Sequence, residues 1–227
     1  MRANHFRVQT NPQLRSDLGQ IFCSGQGRPV DKWLHYIPIY ERYLGHLRGT
    51  DFKMLEIGVY KGGSLDMWRA YFGDSFTLFG IDIDQDTQDC VSEPNQVRVG
   101  SQTNSAFLED VVAEMGGVDV ILDDGSHIGK HQWKSFEVLF PLLNEGGLYI
   151  VEDTHTSYWW RYGGGFGRRR TANNLAKTII DDMHGWYHRR AQLTSAKTEI
   201  GALHIHDSIF VIEKQRRDRP SHVLIGG

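Results

Sequence analysis

From residue 53 onward, apolar runs of strand length alternate with stretches whose apolar residues recur every three or four positions. Lys53-Met54-Leu55-Glu56-Ile57-Gly58 reads as a strand, Ser64 to Phe72 as a helix, Phe76 to Asp82 as a second strand and Val97-Arg98-Val99 as a short third. Asn104 to Glu114 reads as a helix ahead of the strand Val118-Asp119-Val120-Ile121-Leu122. Gly129 to Leu143 carries Trp133, Phe136, Val138, Leu139 and Phe140 at helical spacing, and Gly147-Leu148-Tyr149-Ile150-Val151 is the next strand. Such alternation predicts an α/β fold: a mostly parallel sheet with right-handed crossovers and helices on both faces. The tail breaks the rule. Gly201 to Glu213 reads as two strand segments interrupted near Asp207, which suits an antiparallel edge on a parallel sheet. Before residue 51 lies a helical lead-in, with Trp33, Tyr36, Ile37, Tyr40, Tyr43, Leu44 and Leu47 forming a stripe and Pro38 expected to kink it. The expected organisation is therefore a lead-in over 1–50, on the acceptor or oligomer side, and one α/β domain over 51–227.

Composition narrows the partners. The 227 residues carry a formal charge of -3 with scattered basic residues, Arg168-Arg169-Arg170 apart, so neither nucleic acid nor an acidic membrane surface is an expected partner. No stretch approaches the roughly 20 apolar residues of a membrane span. No apolar h-region follows Met1-Arg2-Ala3-Asn4-His5-Phe6-Arg7, so no secretory signal is expected. The two cysteines, Cys23 and Cys90, make neither a disulfide framework nor a zinc spacing. A cytoplasmic location is the expectation.

Chemistry concentrates where the strands stop. Asp123-Asp124-Gly125-Ser126-His127 follows one strand and Glu152-Asp153 another. The strand ends of an α/β sheet form its active edge, and neighbouring strands lie about 4.8 Å apart, so such carboxylates can converge on one hard cation. Leu55-Glu56-Ile57-Gly58-Val59-Tyr60-Lys61-Gly62-Gly63-Ser64 is a strand, a glycine-rich turn and a helix start. It lacks the Lys-Ser/Thr pair of a P-loop and the G-x-G-x-x-G of a dinucleotide fingerprint. Glu56 would repel a pyrophosphate and suits a cationic ligand. Asp82, ending the second strand, is placed to bind ribose hydroxyls, and Ser101 and Gln102 to face an adenine edge. A glycine turn with two carboxylates and no phosphate cradle describes S-adenosylmethionine better than NAD or ATP. Simpler roles compete: Asp123 and Asp124 as caps of the following helix, and His127 with His131 as an i, i+4 zinc pair, which the surrounding oxygen donors disfavour.

The chain resembles the magnesium-dependent sugar O-methyltransferases related to the macrocin and mycinamicin enzymes. The resemblance rests on Tyr36-Ile37-Pro38-Ile39-Tyr40-Glu41-Arg42, Leu55-Glu56-Ile57-Gly58, Gly62-Gly63-Ser64-Leu65 and Gly80-Ile81-Asp82-Ile83. It continues through Ile121 to His127, Leu148 to Asp153 and Thr156-Ser157-Tyr158-Trp159. It implies the Rossmann-like class I methyltransferase fold with a seven-stranded sheet, and S-adenosyl-L-methionine and Mg²⁺ as cofactors. It further implies Asp124, Glu152 and Asp153 as metal ligands and His127 as the base. The positions expected to meet S-adenosylmethionine are Glu56, Gly58, Gly62, Ser64, Asp82, Ser101, Gln102 and Asp123.

The stretch from Gly163 to His188 departs from the antibiotic-sugar enzymes, and the lead-in is shorter than the extra domain of some relatives. Both differences fall where an acceptor would touch, so its identity does not carry over; the expectation is a glycoside or polysaccharide sugar, either a natural-product deoxysugar or a methylmannose- or methylrhamnose-type glycan. The alternatives are a small vicinal diol or catechol, or cofactor binding without catalysis. Tyr36, Tyr158, Trp159 and Trp160 are the candidate acceptor wall, since flat apolar faces bind sugar rings. A homo-oligomer is expected.

Overall fold

The computed structural model describes residues 14–24, 27–91, 93–193 and 196–226. The first thirteen residues of the lead-in, including the segment read as lacking a secretory signal, lie outside the described residues. The strands form one seven-stranded sheet in the order β3-β2-β1-β4-β5-β7-β6, mostly parallel with an antiparallel edge. Contacts divide the chain into two compact units, Met1–Val118 and Asp119–Gly227.

In the first unit, α1 (Asp17–Cys23) and α2 (Tyr36–Leu44) precede β1 (Lys53–Ile57), α3 (Gly63–Phe72), β2 (Thr77–Asp82), α4 (Thr87–Cys90), β3 (Gln96–Val99) and α5 (Ser105–Met115). β1 and β2 are parallel, with Glu56 opposite Gly80 and Ile57 opposite Ile81; β2 and β3 are parallel, with Asp82 opposite Val99. The helical stripe is shorter than its sequence suggests. α2 starts only at Tyr36, so Pro38 sits in the first turn, where its missing N–H leaves no helical bond unmade. Trp33 stays outside the helix and half exposed. Tyr36 packs edge-on against Tyr40, Tyr40 against Trp68, and Trp68 stacks on Phe72, an aromatic core between α2 and α3.

In the second unit, β4 (Val118–Asp123) leads to α6 (Gly129–Leu142), β5 (Leu143–Val151), two short 3-10 turns (Thr154–Tyr158 and Trp160–Tyr162), α7 (Ala172–Met183), α8 (Ala196–Glu199), β6 (Ile200–His206) and β7 (Ile209–Lys214). β7 pairs antiparallel with both β5 and β6, and the hairpin turns at Asp207-Ser208, where the sequence breaks. α7 was not foreseen within the divergent 163–188 stretch. Its Thr171 cap accepts from the Asn174 N–H at 3.2 Å, and it buries Leu175, Ala176 and Ile179. No described helix is long and apolar enough to cross a membrane.

Candidate active site

The first unit brings together Gly58, Asp82 and Ser101 at the ends of its three strands. Gly58, at φ 92°, donates to Ile81 O, and Gly100 donates to Asp82 O. The Asp82 carboxylate fixes the turn: its Oδ2 accepts from the N–H groups of Val59 (2.8 Å) and Tyr60 (2.9 Å), and its Oδ1 from Asp84 (3.0 Å). The Ser101 hydroxyl lies 2.9 Å from that of Thr103, in the turn before α5, and Gln102 is buried beside it. Glu56 is fully buried, and its carboxylate lies 3.9 Å from the equally buried Lys32 ammonium.

The glycines after Gly58 lie close against other parts of the chain. A Cβ at Gly63 would lie 2.1 Å from Pro29 O, and one at Gly62 3.2 Å from the Arg28 guanidinium. The space these glycines leave at the start of α3 is filled by the chain's own residues 28, 29 and 91, and Ser64 is buried there. Arg28 Nε donates to Asp66 Oδ2 at 2.8 Å, pinning the segment to α3. This hydrogen bond, reinforced by charge, holds the Asp66 carboxyl below its usual range against the opposing effect of partial burial.

The second unit brings Asp124, His127 and Asp153 together, one ligand-type atom from each within 4.8 Å of the others. The strand ends that carry them are tied: the Glu152 N–H donates to Asp123 O at 3.0 Å. His127 and Asp153 both occupy left-handed backbone, φ 55° and 53°. Non-glycine residues are uncommon there, and their clustering marks a spot where geometry outranks local comfort. Asp153 is the residue before the 3-10 turn yet makes no side-chain capping bond to it; its Oδ2 lies 3.7 Å from His127 Nε2. His127 Nδ1 is buried, with no hydrogen-bond partner among the described residues. Glu152 is buried and falls outside the group of three.

The competing simple roles do not match this geometry. α6 is preceded by Ile128 with no side-chain cap, so neither Asp123 nor Asp124 caps it. His131 Nδ1 lies 2.8 Å from Ser126 Oγ and is absent from the acid–histidine group. Asp123 points inward: it is fully buried, with Ser135 Oγ at 2.5 Å and Tyr149 OH at 3.4 Å from its Oδ2. Burial, and then the Asp123 charge, push the Tyr149 hydroxyl well above its usual pKa.

Aromatic side chains run outward from the acidic group. The His127 ring is 6.2 Å from Tyr162, Tyr162 is 6.1 Å from Trp159, and Trp159 stands edge-on to His155 at 4.6 Å. Tyr158 and Trp159 are about half exposed and Trp160 86 % exposed, whereas Tyr36 is fully buried in the aromatic core of the first unit. Several supporting residues went unnoticed in the sequence. They are Lys32 beside Glu56, Arg28 and Pro29 over the glycines, and Thr156 between the two acidic loops. Only Thr156 had a signal, as part of the stretch that resembles the sugar enzymes.

Residues 55–154 match the model of a family described as a methyltransferase domain. The match spans 100 of the 227 residues, from β1 to the acidic pair that follows β5. The chain is 32% identical, over 95% of its length and 58% of the relative's, to 8-demethyl-8-(2-methoxy-alpha-L-rhamnosyl)-tetracenomycin-C 3'-O-methyltransferase of Streptomyces olivaceus. It is also 32% identical to mycinamicin VI 2''-O-methyltransferase of Micromonospora griseorubida, over 84% of this chain and 51% of that one. The chain thus spans about half the length of the curated relatives it matches. Among solved structures, MycE methyltransferase from the mycinamycin biosynthetic pathway, in complex with Mg and SAH, superposes with a TM-score of 0.78 at 30% identity. That match covers 88% of this chain and 55% of MycE. The seven-stranded class I methyltransferase fold read from the sequence is the fold found.

Proposed function

We propose that this chain transfers a methyl group from S-adenosylmethionine to a sugar hydroxyl of a glycosylated natural product, with a divalent cation, Mg²⁺ first, at the acidic strand ends. The observation that carries the reading is the convergence of Asp124, His127 and Asp153 within 4.8 Å. The donor set fits such an ion. Two carboxylates suit a hard, oxygen-seeking cation, so Asp124 and Asp153 would hold it, with Glu152 proposed as a further ligand next to Asp153. A nucleoside without phosphates suits the first unit: Asp82 ends β2 with its carboxylate fixed, Gly58 turns the chain at φ 92°, and the chain itself covers the start of α3. Glu56, Ser101 and Gln102 are the further residues proposed to border that cofactor.

The cofactor supplies an electrophilic methyl on a sulfonium, and the ion lowers the pKa of a hydroxyl held beside it. The residues of the chain do the rest. His127 Nε2 would take the proton that the acceptor hydroxyl gives up when it is methylated. The Asp153 carboxylate, on the same side of the ring, holds the imidazolium that results. Trp159, Trp160 and Tyr158 offer flat faces to the acceptor ring and exclude water from it. Relatives named for rhamnosyl-tetracenomycin and mycinamicin support a sugar attached to a polyketide as the acceptor class. The test is a screen of such glycosides with methyl-labelled S-adenosylmethionine. Label should enter a sugar hydroxyl with Mg²⁺ present, stop with EDTA and return on adding Mg²⁺. Transfer unaffected by EDTA would overturn the metal reading.

A further inference from the structure

We infer that Thr156 is a positioning residue that sets His127 relative to Asp153, an inference that rests on the divalent-cation site proposed above. The Thr156 side chain is buried, with Oγ1 2.7 Å from Asp153 O and 3.0 Å from His127 O. One hydroxyl proton faces two carbonyls. Asp153 O already accepts the backbone N–H of Thr156 at 3.0 Å, whereas among the described residues His127 O has no other donor. The hydroxyl's distinctive contribution is therefore the bond to His127, which joins two loops 29 residues apart. Both residues it touches are in left-handed backbone. A left-handed residue outside glycine reverts to commoner dihedrals unless its surroundings hold it. Here the restraint acts on the peptide groups that fix the directions of the imidazole and the carboxylate. The hairpin turn reinforces the same loop from its other side, with the Thr154 N–H donating to Ser208 O at 2.9 Å and Ser208 Oγ 2.8 Å from His155 Nδ1. Two short loops thus become one frame, and Thr156 is its only hydroxyl placed between the His127 and Asp153 carbonyls among the described residues.

The test compares Thr156→Val, which keeps the shape and deletes the donor, with Thr156→Ser, which keeps the donor. Mn²⁺ affinity of the full chain is measured by electron paramagnetic resonance, and the His127 ring nitrogen shifts by NMR without metal. Thr156→Val should weaken Mn²⁺ binding about tenfold or more and move the His127 resonances, while Thr156→Ser stays within about threefold and keeps them, the scale on which groups behind metal ligands act. If Thr156→Val does not fold, Thr156→Ala, which also removes the donor, is read the same way. Wild-type binding and shifts in the Val variant, or a Ser variant as impaired as Val, would overturn the inference. If the wild type binds no Mn²⁺, the cation reading fails by itself, and the His127 shifts then decide the role of Thr156: moved in Val and kept in Ser supports it, unmoved in both overturns it.

Discussion

At the scale of single residues, the site depends on two side chains held on uncommon backbone. This shapes how His127 must be tested. Alanine at φ 55° would confound lost chemistry with a shifted loop, whereas asparagine tolerates the left-handed region. His127→Asn should therefore lower methyl transfer by about 10²–10⁴-fold, the usual worth of a positioned general base. Its affinity for S-adenosylmethionine, measured by calorimetry, should stay near that of the wild type; near-normal turnover would remove His127 from the role of base. The acidic residues and His127 were legible in the sequence because each follows an apolar run that can only be a strand, so position and chemistry coincide. Glu152 was expected beside Asp153 as a metal ligand because the resemblance implies it. Strands and turns send consecutive side chains different ways, and Glu152 is buried while Asp153 faces His127. Asp123 was equally visible, but its inward partners Ser135 and Tyr149 lie 12 and 26 residues away and no local pattern announces them.

At the scale of elements, the instructive case is the start of α3. Gly62 was expected to meet S-adenosylmethionine, and the space a side chain would need at Gly62 and Gly63 is taken by residues 28, 29 and 91. Gly63→Ala would press a methyl group against Pro29 O, and the expected cost is about 1–3 kcal/mol, read as a lower urea midpoint at unchanged slope. A variant as stable as the wild type would show that the segment is free to move aside. The Arg28–Asp66 pair makes a second, smaller contribution. Its side chains are 26% and 32% exposed, so solvent screening limits it to less than about 1 kcal/mol. The sign follows from the depressed Asp66 pKa: the contribution is complete above the unfolded value, near pH 4, and is lost as pH falls through the lower folded value. Arg28→Gln should flatten the acid limb of stability below about pH 4 and leave the neutral limb nearly parallel to wild type; an unchanged acid limb would contradict this. The long-range packing behind both effects joins residues 30 and more apart, which is why local periodicity placed the helix and the strand but not what covers them.

At the scale of the whole molecule, the succession of strands along the chain was legible in the sequence, whereas their order across the sheet was not. Buried parallel strands are continuous apolar runs, and the Asp207 break separated the antiparallel pair β6 and β7. α7 was missed because its buried face is narrow, Leu175 and Ile179 amid polar residues, and its stability comes from the Thr171 cap and from packing. The fold therefore accounts for why acids, imidazole and aromatic rings gather in the second unit, while Asp82 stands at a strand end of the first. The central claim is that Asp124 and Asp153 hold a divalent ion with His127 left free for the proton. Crystals grown with Mn²⁺ and measured at its absorption edge test this most directly. The account predicts one anomalous peak within about 2.0–2.3 Å of an oxygen of each of Asp124 and Asp153, with His127 nitrogens beyond bonding distance. No peak at these carboxylates, or a peak bonded to His127, would contradict it.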